Sequence, residues 1–391
     1  AVATAGTQLF DTDSLSGGAF AFTDANVGSG DKTVTVGGVT VSDGNSGNNY
    51  NVSYVANATS TIDPASITVA ADDVVKTYDG TLSASGNAVV VSGTLFNNVS
   101  NGNVQDSLSG GNFAFTDPNA GTGNKTVTLD GVTVNDGNGG NNYIVVYANN
   151  TTSTINPAML TFAGDIQTRE YDGTTVATLD DVTLSGLIGS ETLTATAAAA
   201  DFADPNAGSG KTVFIDGIAL ADGTNGGLAA NYTVSPTATA TGTIEPKLLA
   251  VNVDVADKVY DGNTSATVNG FELIGYVGSE TVTGVYTGSA AFADKNVGAD
   301  KTVEVTGIDL VNGTNGGLAA NYWVADTANG AADITPATLQ IAGVAALDKV
   351  YDGTVTANLD SDNAVLSGAI GTDDVQVSSI TGTFADKNVG I

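Results

Sequence analysis

The side chains available for chemistry in this chain are carboxylates, amides, hydroxyls and a few lysines. Among 391 residues there are 42 Asp and Glu, 11 Lys and Arg, and no His or Cys. That excludes Ser-His-Asp and Cys-His nucleophile systems, thiolate and imidazole metal sites, and disulfides. Calcium chemistry stays open, because calcium takes oxygen ligands. The pattern Asp-x-Asn-x-Gly starts at Asp24, Asp117, Asp204, Asp294 and Asp386. It lacks the remaining ligands and the closing Glu of an EF-hand loop, and an Asx turn with a Gly at positive φ accounts for it. Better calcium candidates are Asp43 and Asn45 in Asp43-Gly-Asn-Ser-Gly-Asn-Asn49, and Asp136 and Asn138 in Asp136-Gly-Asn-Gly-Gly-Asn-Asn142. Their counterparts, Asp222-Gly-Thr-Asn-Gly-Gly227 and Asn312-Gly-Thr-Asn-Gly-Gly317, offer fewer side-chain oxygens, and the second has no carboxylate. No other cofactor is expected.

Two further sets invite a chemical reading. Lys32, Lys125, Lys211 and Lys301 follow the Asn of the Asp-x-Asn-x-Gly pattern by five or six residues. A buried Lys, an Asn and an acid can form an isopeptide bond, but this spacing is short for a cross-strand link, and a lysine with its stem on apolar surface explains it more simply. Tyr-Asp-Gly recurs at Tyr78-Asp79, Tyr171-Asp172, Tyr260-Asp261 and Tyr351-Asp352. Exposed, these tyrosines would make a sugar-stacking row. Beside a turn former, they read as core tyrosines with the hydroxyl tied to backbone, like a tyrosine corner. Pairs of acids could serve a glycosidase, yet here they are spread along the chain instead of converging once, so no enzyme is expected.

The elements that position these residues repeat. The Tyr-Asp-Gly spacings are 171 − 78 = 93, 260 − 171 = 89 and 351 − 260 = 91 residues. Asp-x-Asn-x-Gly, Lys-Thr-Val and Asn-Tyr (Tyr50, Tyr143, Tyr232, Tyr322) keep the same order and period. This is a tandem array. Each unit closes on Ile-x-Pro at Pro64, Pro157, Pro246 and Pro336. Proline cannot donate to a ladder and holds its predecessor extended, so boundaries belong there. Units 64–156, 157–245 and 246–335 are complete; residues 1–63 and 336–391 are partial, so both termini are expected to cut through a repeat. Thr, Val and Gly favour strands over helices. The array therefore reads as all-β, with immunoglobulin-like β-sandwich repeats of about 90 residues and six to eight strands each. A β-grasp-like repeat is the alternative, and 195–200 is the nearest thing to its helix. Lys125 to Val134 reads as a hairpin around Asp130-Gly131, with Val127 and Val134 on one buried face, although a bulged strand would bury them too. Phe22, Phe115, Phe202, Phe292 and Phe384 stand two residues ahead of the Asp of each Asp-x-Asn-x-Gly and are expected in the core.

The formal net charge is −31. It opposes nucleic acid and anionic lipid alike, and no apolar run approaches the roughly 18 residues of a membrane helix. Lys258-Val-Tyr-Asp-Gly-Asn-Thr264, Lys349-Val-Tyr-Asp-Gly-Thr354, Phe292-Ala-Asp-Lys-Asn-Val-Gly298 and Ala320-Asn-Tyr322 resemble the YDG repeats of large bacterial surface proteins. Such repeats occur in filamentous-haemagglutinin-like, two-partner-secreted adhesins and in biofilm-matrix adhesins. The resemblance implies an extracellular protein of the bacterial cell surface or biofilm matrix. Its expected work is a structural stalk: short Ile-x-Pro junctions leave little slack, and each repeat would add about 35–45 Å. Partners would be neighbouring repeats. The alternatives are direct binding of exopolysaccharide or host glycan, and self-assembly of identical chains into a fibre. Aromatics are only 6% of the chain, and Trp323, the single Trp, occurs in one repeat.

Overall fold

The computed structural model describes residues 9–98 and 104–390. Those residues are built from strands and loops, with no α-helix among them and two short 3-10 turns at Ala229–Asn231 and Ala319–Asn321. Residues 195–200, the helix candidate, fall in the strands Leu193–Thr196 and Ala199–Phe202 and the two residues between. The β-branched and glycine-rich composition thus yields an all-β chain.

One four-stranded sheet recurs in all three complete repeats. In the second repeat its order is Val75–Thr77, Asn150–Asn156, Gly121–Asn135, Ser107–Phe115. The third gives Arg169–Glu170, Thr237–Glu245, Gly208–Asp216, Ala199–Phe202, and the fourth Lys258–Val259, Thr327–Thr335, Gly298–Thr306, Ala290–Phe292. The short first strand pairs in parallel with the end of its repeat's closing strand; the other neighbours are antiparallel. The first strand after the proline joins a different sheet, pairing in parallel with the Asn-Tyr strand, as Ala65 does with Tyr143 and Ala158 with Tyr232.

Around Asp130-Gly131 the chain does not fold back on itself. Gly121–Asn135 is one strand, with Asp130 opposite Asn112 and Val132 opposite Gly110. The residues between are Gly131 and Gly111, at φ +67° and +110°, which put a kink into both strands. The hairpin expectation is corrected here: Ser107–Phe115 offers a ladder partner along most of the strand's length, so extended pairing wins over a turn. Val127 and Val134 are both buried, but in separate clusters, Val127 with Phe115 and Ile155, Val134 with Leu129, Ile67 and Tyr143. In the third repeat the same glycine marks a change of sheet. Gly208–Asp216 pairs with Thr237–Glu245, and Ala219–Asp222, beyond Gly217, pairs with Leu193–Thr196.

Phe115, Phe202 and Phe292 are 2%, 2% and 3% exposed. Lys76, Arg169 and Lys258 lie over their rings at 5.4, 5.4 and 5.6 Å. Phe22 and Phe384 are 45% and 38% exposed, which corrects the expectation that every copy is buried. Burial of this ring depends on the complete four-stranded sheet. Among the described residues the first repeat has only Ser14–Phe22, Gly28–Ser42 and Asn57–Ile62, and around Phe384 the ladder is the two-residue pair Thr356–Ala357 with Gly382–Thr383.

The chain divides into two compact units. One comprises Ala1–Phe162, Thr183–Thr196 and Gly217–Pro236; the other comprises Ala163–Val182, Ala197–Asp216 and Thr237–Ile391. Segments of the third repeat belong to each. In the first unit the second repeat's core (Tyr78, Phe115, Val127, Ile155) continues through Ala158 and Leu160 to Tyr232 and Ile188 of the third. In the second unit a core gathers Phe292, Val303, Val305 and Ile334.

Candidate functional site

The repeated motifs converge at the junction between one repeat and the next. Construction starts with the strand before Tyr-Asp-Gly. Parallel pairing carries Tyr78 to the end of its repeat, where its N–H donates to the Asn156 carbonyl at 2.8 Å, immediately before Pro157. Tyr171 and Tyr260 do the same on Glu245 and Thr335, before Pro246 and Pro336. The aspartate then closes a turn. Asp79 Oδ1 accepts the Thr81 N–H at 2.9 Å and pairs with Lys76 at 2.7 Å. Asp172 with Thr174 and Arg169, Asp261 with Asn263 and Lys258, and Asp352 with Thr354 and Lys349 repeat this. The lysine hydrogen bond holds the Asp79 and Asp352 carboxyls down at about 2, and the Thr81 and Thr354 N–H groups act in the same direction.

The tyrosine hydroxyl reaches the following repeat. In the first unit Tyr78 donates to Glu191 Oε1 at 2.7 Å, and the other oxygen of the same carboxylate takes the Tyr232 hydroxyl at 2.6 Å. The two rings meet edge to face at 5.4 Å between centroids. The Ile188 N–H donates to the Tyr232 oxygen at 3.0 Å. In the second unit Glu280 accepts from Tyr171 and Tyr322, both at 2.7 Å, with the Val277 N–H on the Tyr322 oxygen and the rings 5.5 Å apart. Tyr260 donates to Asp373 at 2.7 Å. The expected backbone acceptor is thus corrected to a carboxylate of the next repeat. Tyr78 and Tyr171 are 5% and 3% exposed, whereas Tyr351 is 59% exposed. Burial first, and the carboxylate second, push the Tyr78 and Tyr322 hydroxyls up to about 12, and raise Tyr171 for the same reasons.

Glycine completes the contact. Gly80, Gly173 and Gly262 all have positive φ, and a Cβ on each would meet Ile188, Val277 and Ile370 at 3.2, 2.9 and 3.1 Å. Only a residue without a side chain lets the next repeat approach so closely.

The Asn of Asn-Tyr forms a second fastening. Asn231 accepts the Ala120 N–H at 2.8 Å and donates to Asn119 Oδ1 at 2.9 Å; Asn321 does the same on Ala207 and Asn206, and Asn142 on Val27 and Asn26. Asn231 and Asn321 are buried. In these three turns the Asn of Asp-x-Asn-x-Gly is therefore engaged by the next repeat. The lysine candidates face the Asp of that turn instead: Lys211 lies 2.7 Å from Asp204 and Lys301 2.7 Å from Asp294, with Lys32 on Asp24 and Lys125 on Asp117. Their side chains are 8–13% exposed, so the stems are buried and the ammonium heads pin the turn.

The calcium candidates are closed turns. Asp136 is buried; its Oδ1 accepts the N–H of Asn138 and Gly140 and its Oδ2 that of Asn142, at 2.7–3.0 Å. Asp43 accepts from Asn45, Gly47 and Asn49 in the same way, and Asn45 and Asn138 donate to Asn49 and Asn142. Burial works against ionisation of both carboxyls, but the three backbone donors outweigh it and hold them below the usual range. Among the described residues no group of three or more His, Cys, Asp or Glu is placed to hold a metal ion. No helix there is long and apolar enough to cross a membrane.

Sequence reading does not pick out Glu191, Glu280 and Asp373, the acceptors of the Tyr-Asp-Gly hydroxyls. Their signal is a further recurring mark, Gly-Ser-Glu at 189–191 and 278–280 and Gly-Thr-Asp at 371–373. The acceptor follows its Tyr-Asp-Gly tyrosine by 113, 109 and 113 residues, more than one period, so it belongs to the next repeat.

Among protein families, the chain matches the YDG domain over residues 63–153, 156–240, 245–329 and 335–391. Each match begins one residue before Pro64, Pro157, Pro246 or Pro336. No curated protein matches the chain.

Proposed function

The chain belongs to the YDG domain family, and on that premise we propose that it is a structural stalk of an extracellular bacterial adhesin or biofilm-matrix protein. The observation that carries this reading is the junction. A carboxylate bonded to tyrosines from two repeats, a glycine-tight aliphatic contact and an asparagine wedged into the preceding turn fasten neighbours at separate points. A linker that merely tethered its domains would not need buried polar bonds across each join. A protein that holds a binding region away from a surface, or spans a matrix, does.

The motifs that recur most faithfully are spent on turns and junctions. On this reading their role is to stiffen the array. Direct glycan binding by a row of repeated tyrosines loses support, since Tyr78 and Tyr171 are buried against the next repeat. The test is small-angle scattering of the whole chain. The stalk reading expects one extended, stiff particle, and a variant carrying Tyr78→Phe, Tyr171→Phe and Tyr260→Phe should show a broader distance distribution. A flexible-chain profile for the unmodified protein would overturn it.

A further inference from the structure

A bond from a Tyr-Asp-Gly tyrosine to the next repeat depends on where a glutamate points. Glu191 and Glu280 each bring two oxygens to two phenols, and so long a side chain has several torsions to fix. A tight turn sets their backbone first: the Glu191 N–H donates to the Ile188 carbonyl and the Glu280 N–H to that of Val277, both at 3.1 Å. The residues on either side of each glutamate are held by a loop from later in the same repeat, Gly-Thr-Asn-Gly-Gly at 223–227 and 313–317.

In the third repeat the loop grips both neighbours of Glu191. On one side the Thr192 N–H donates to the Thr224 carbonyl at 3.2 Å, the Thr224 N–H donates back to Thr192 Oγ1 at 2.7 Å, and the two hydroxyls lie 2.8 Å apart. On the other side Asn225 Nδ2 donates to the Ser190 carbonyl at 3.1 Å. Asn225 sits at φ +56°, a conformation that asparagine tolerates. A Cβ on Gly223 or Gly227 would collide with the Thr192 carbonyl oxygen, so the loop wraps that carbonyl more closely than a side chain allows. The fourth repeat has the same set of contacts. Thr281 and Thr314 exchange bonds at 3.2 and 3.1 Å with their hydroxyls 2.8 Å apart, and Asn315, at φ +54°, donates to the Ser279 carbonyl at 3.0 Å. Gly313 and Gly317 lie against the Thr281 carbonyl.

The second repeat has a different loop and carries its acceptor differently. Residues 97–105 stand between Phe96 and Asp106, where only Gly189 and Ser190 stand between Ile188 and Glu191. Asp106 follows the strand pair Asn97–Asn98 with Val104–Gln105, and the loop 136–142 closes on its own Asp136. Loop type and acceptor type thus go together. We propose that the Gly-Thr-Asn-Gly-Gly loop is the positioning element of the junction. Thr192 with Asn225, and Thr281 with Asn315, hold Glu191 and Glu280 where one carboxylate meets a tyrosine of its own repeat and a tyrosine of the repeat before. Their effect passes through the glutamate, whose buried bonds reward a backbone fixed in advance. The inference rests on the junction reading given above and names the residues that tune it.

A double-mutant cycle in the full chain, repeated in loop-variant backgrounds, tests this. The cycle is Tyr171→Phe against Glu280→Gln, followed in urea by Trp323 fluorescence; the backgrounds are Asn315→Gly and Thr281→Val. Glycine suits the positive φ of residue 315, so Asn315→Gly removes the amide and keeps the path of the loop. In the unmodified protein the tyrosine–carboxylate bond should couple the pair roughly tenfold in the unfolding constant. That factor should fall to about threefold or less in both backgrounds. Thr281→Ser, which keeps the hydroxyl, should retain the full coupling. A loop that only adds stability would lower the urea midpoints and leave the coupling near its unmodified value; that result in both backgrounds overturns the positioning role. Absence of coupling in the unmodified protein would instead overturn the junction reading, and this inference with it.

Discussion

Each junction glutamate spends both oxygens on phenols, and this makes the tyrosines sensitive to alkali. The ordinary tyrosine value is about 10, and Tyr78 and Tyr322 stand at about 12 when folded. A raised value means that the folded state favours the protonated phenol. The junction contribution is therefore complete below about pH 10 and is lost as pH rises through about 12. Urea midpoints should fall across that window in step with phenolate absorbance; a flat profile would contradict the bonding. Two substitutions probe single contacts. Phe292→Ala removes a ring that is 3% exposed and should cost about 3–5 kcal/mol in urea melts, while Phe384→Ala, already 38% exposed, should cost far less. Gly173→Ala places a Cβ 2.9 Å from Val277 at a positive φ, and should destabilise by at least about 1 kcal/mol.

Turns and strands show what is legible in the residues. Period, order of motifs, all-β character and the proline punctuation follow from the spacing of Tyr78, Tyr171 and Tyr260 and from strand-forming composition. Local chemistry is readable too, since Asp79 and Asp117 do head Asx turns. Glu191 is not, because its partners lie 41 residues away within its own repeat and 113 away in the preceding one. The kink at Gly131 reads as a hairpin because the deciding factor, a partner strand running past the glycine, is non-local. At this scale acid is the probe. Asp79 and Asp352 sit at about 2 beside their lysines, so their turns gain stability above the unfolded value of 3.8 and lose it as pH falls toward 2. Both carboxylates are half-exposed, which keeps the effect small and salt-sensitive. Lys76→Met should flatten that acid limb; an unchanged limb would show that the ion pair contributes nothing.

For the whole array, a net charge of −31 makes screening by any cation favourable. Because the Asp43 and Asp136 oxygens are committed to backbone donors, calcium and magnesium at equal ionic strength should raise the melting temperature equally. A calcium-specific rise abolished by Asp136→Ala would reinstate those loops as sites. The central claim is that neighbouring repeats are energetically one body across each junction, and a double-mutant cycle tests it most directly. Tyr171 and Glu280 belong to different repeats, and Trp323, half exposed beside Tyr322, gives a fluorescence signal for unfolding. Tyr171→Phe, Glu280→Gln and the double variant should yield a coupling of about 1–2 kcal/mol in urea unfolding of the full chain. Additivity within about 0.3 kcal/mol would mean that the repeats touch without supporting one another, and would contradict the account.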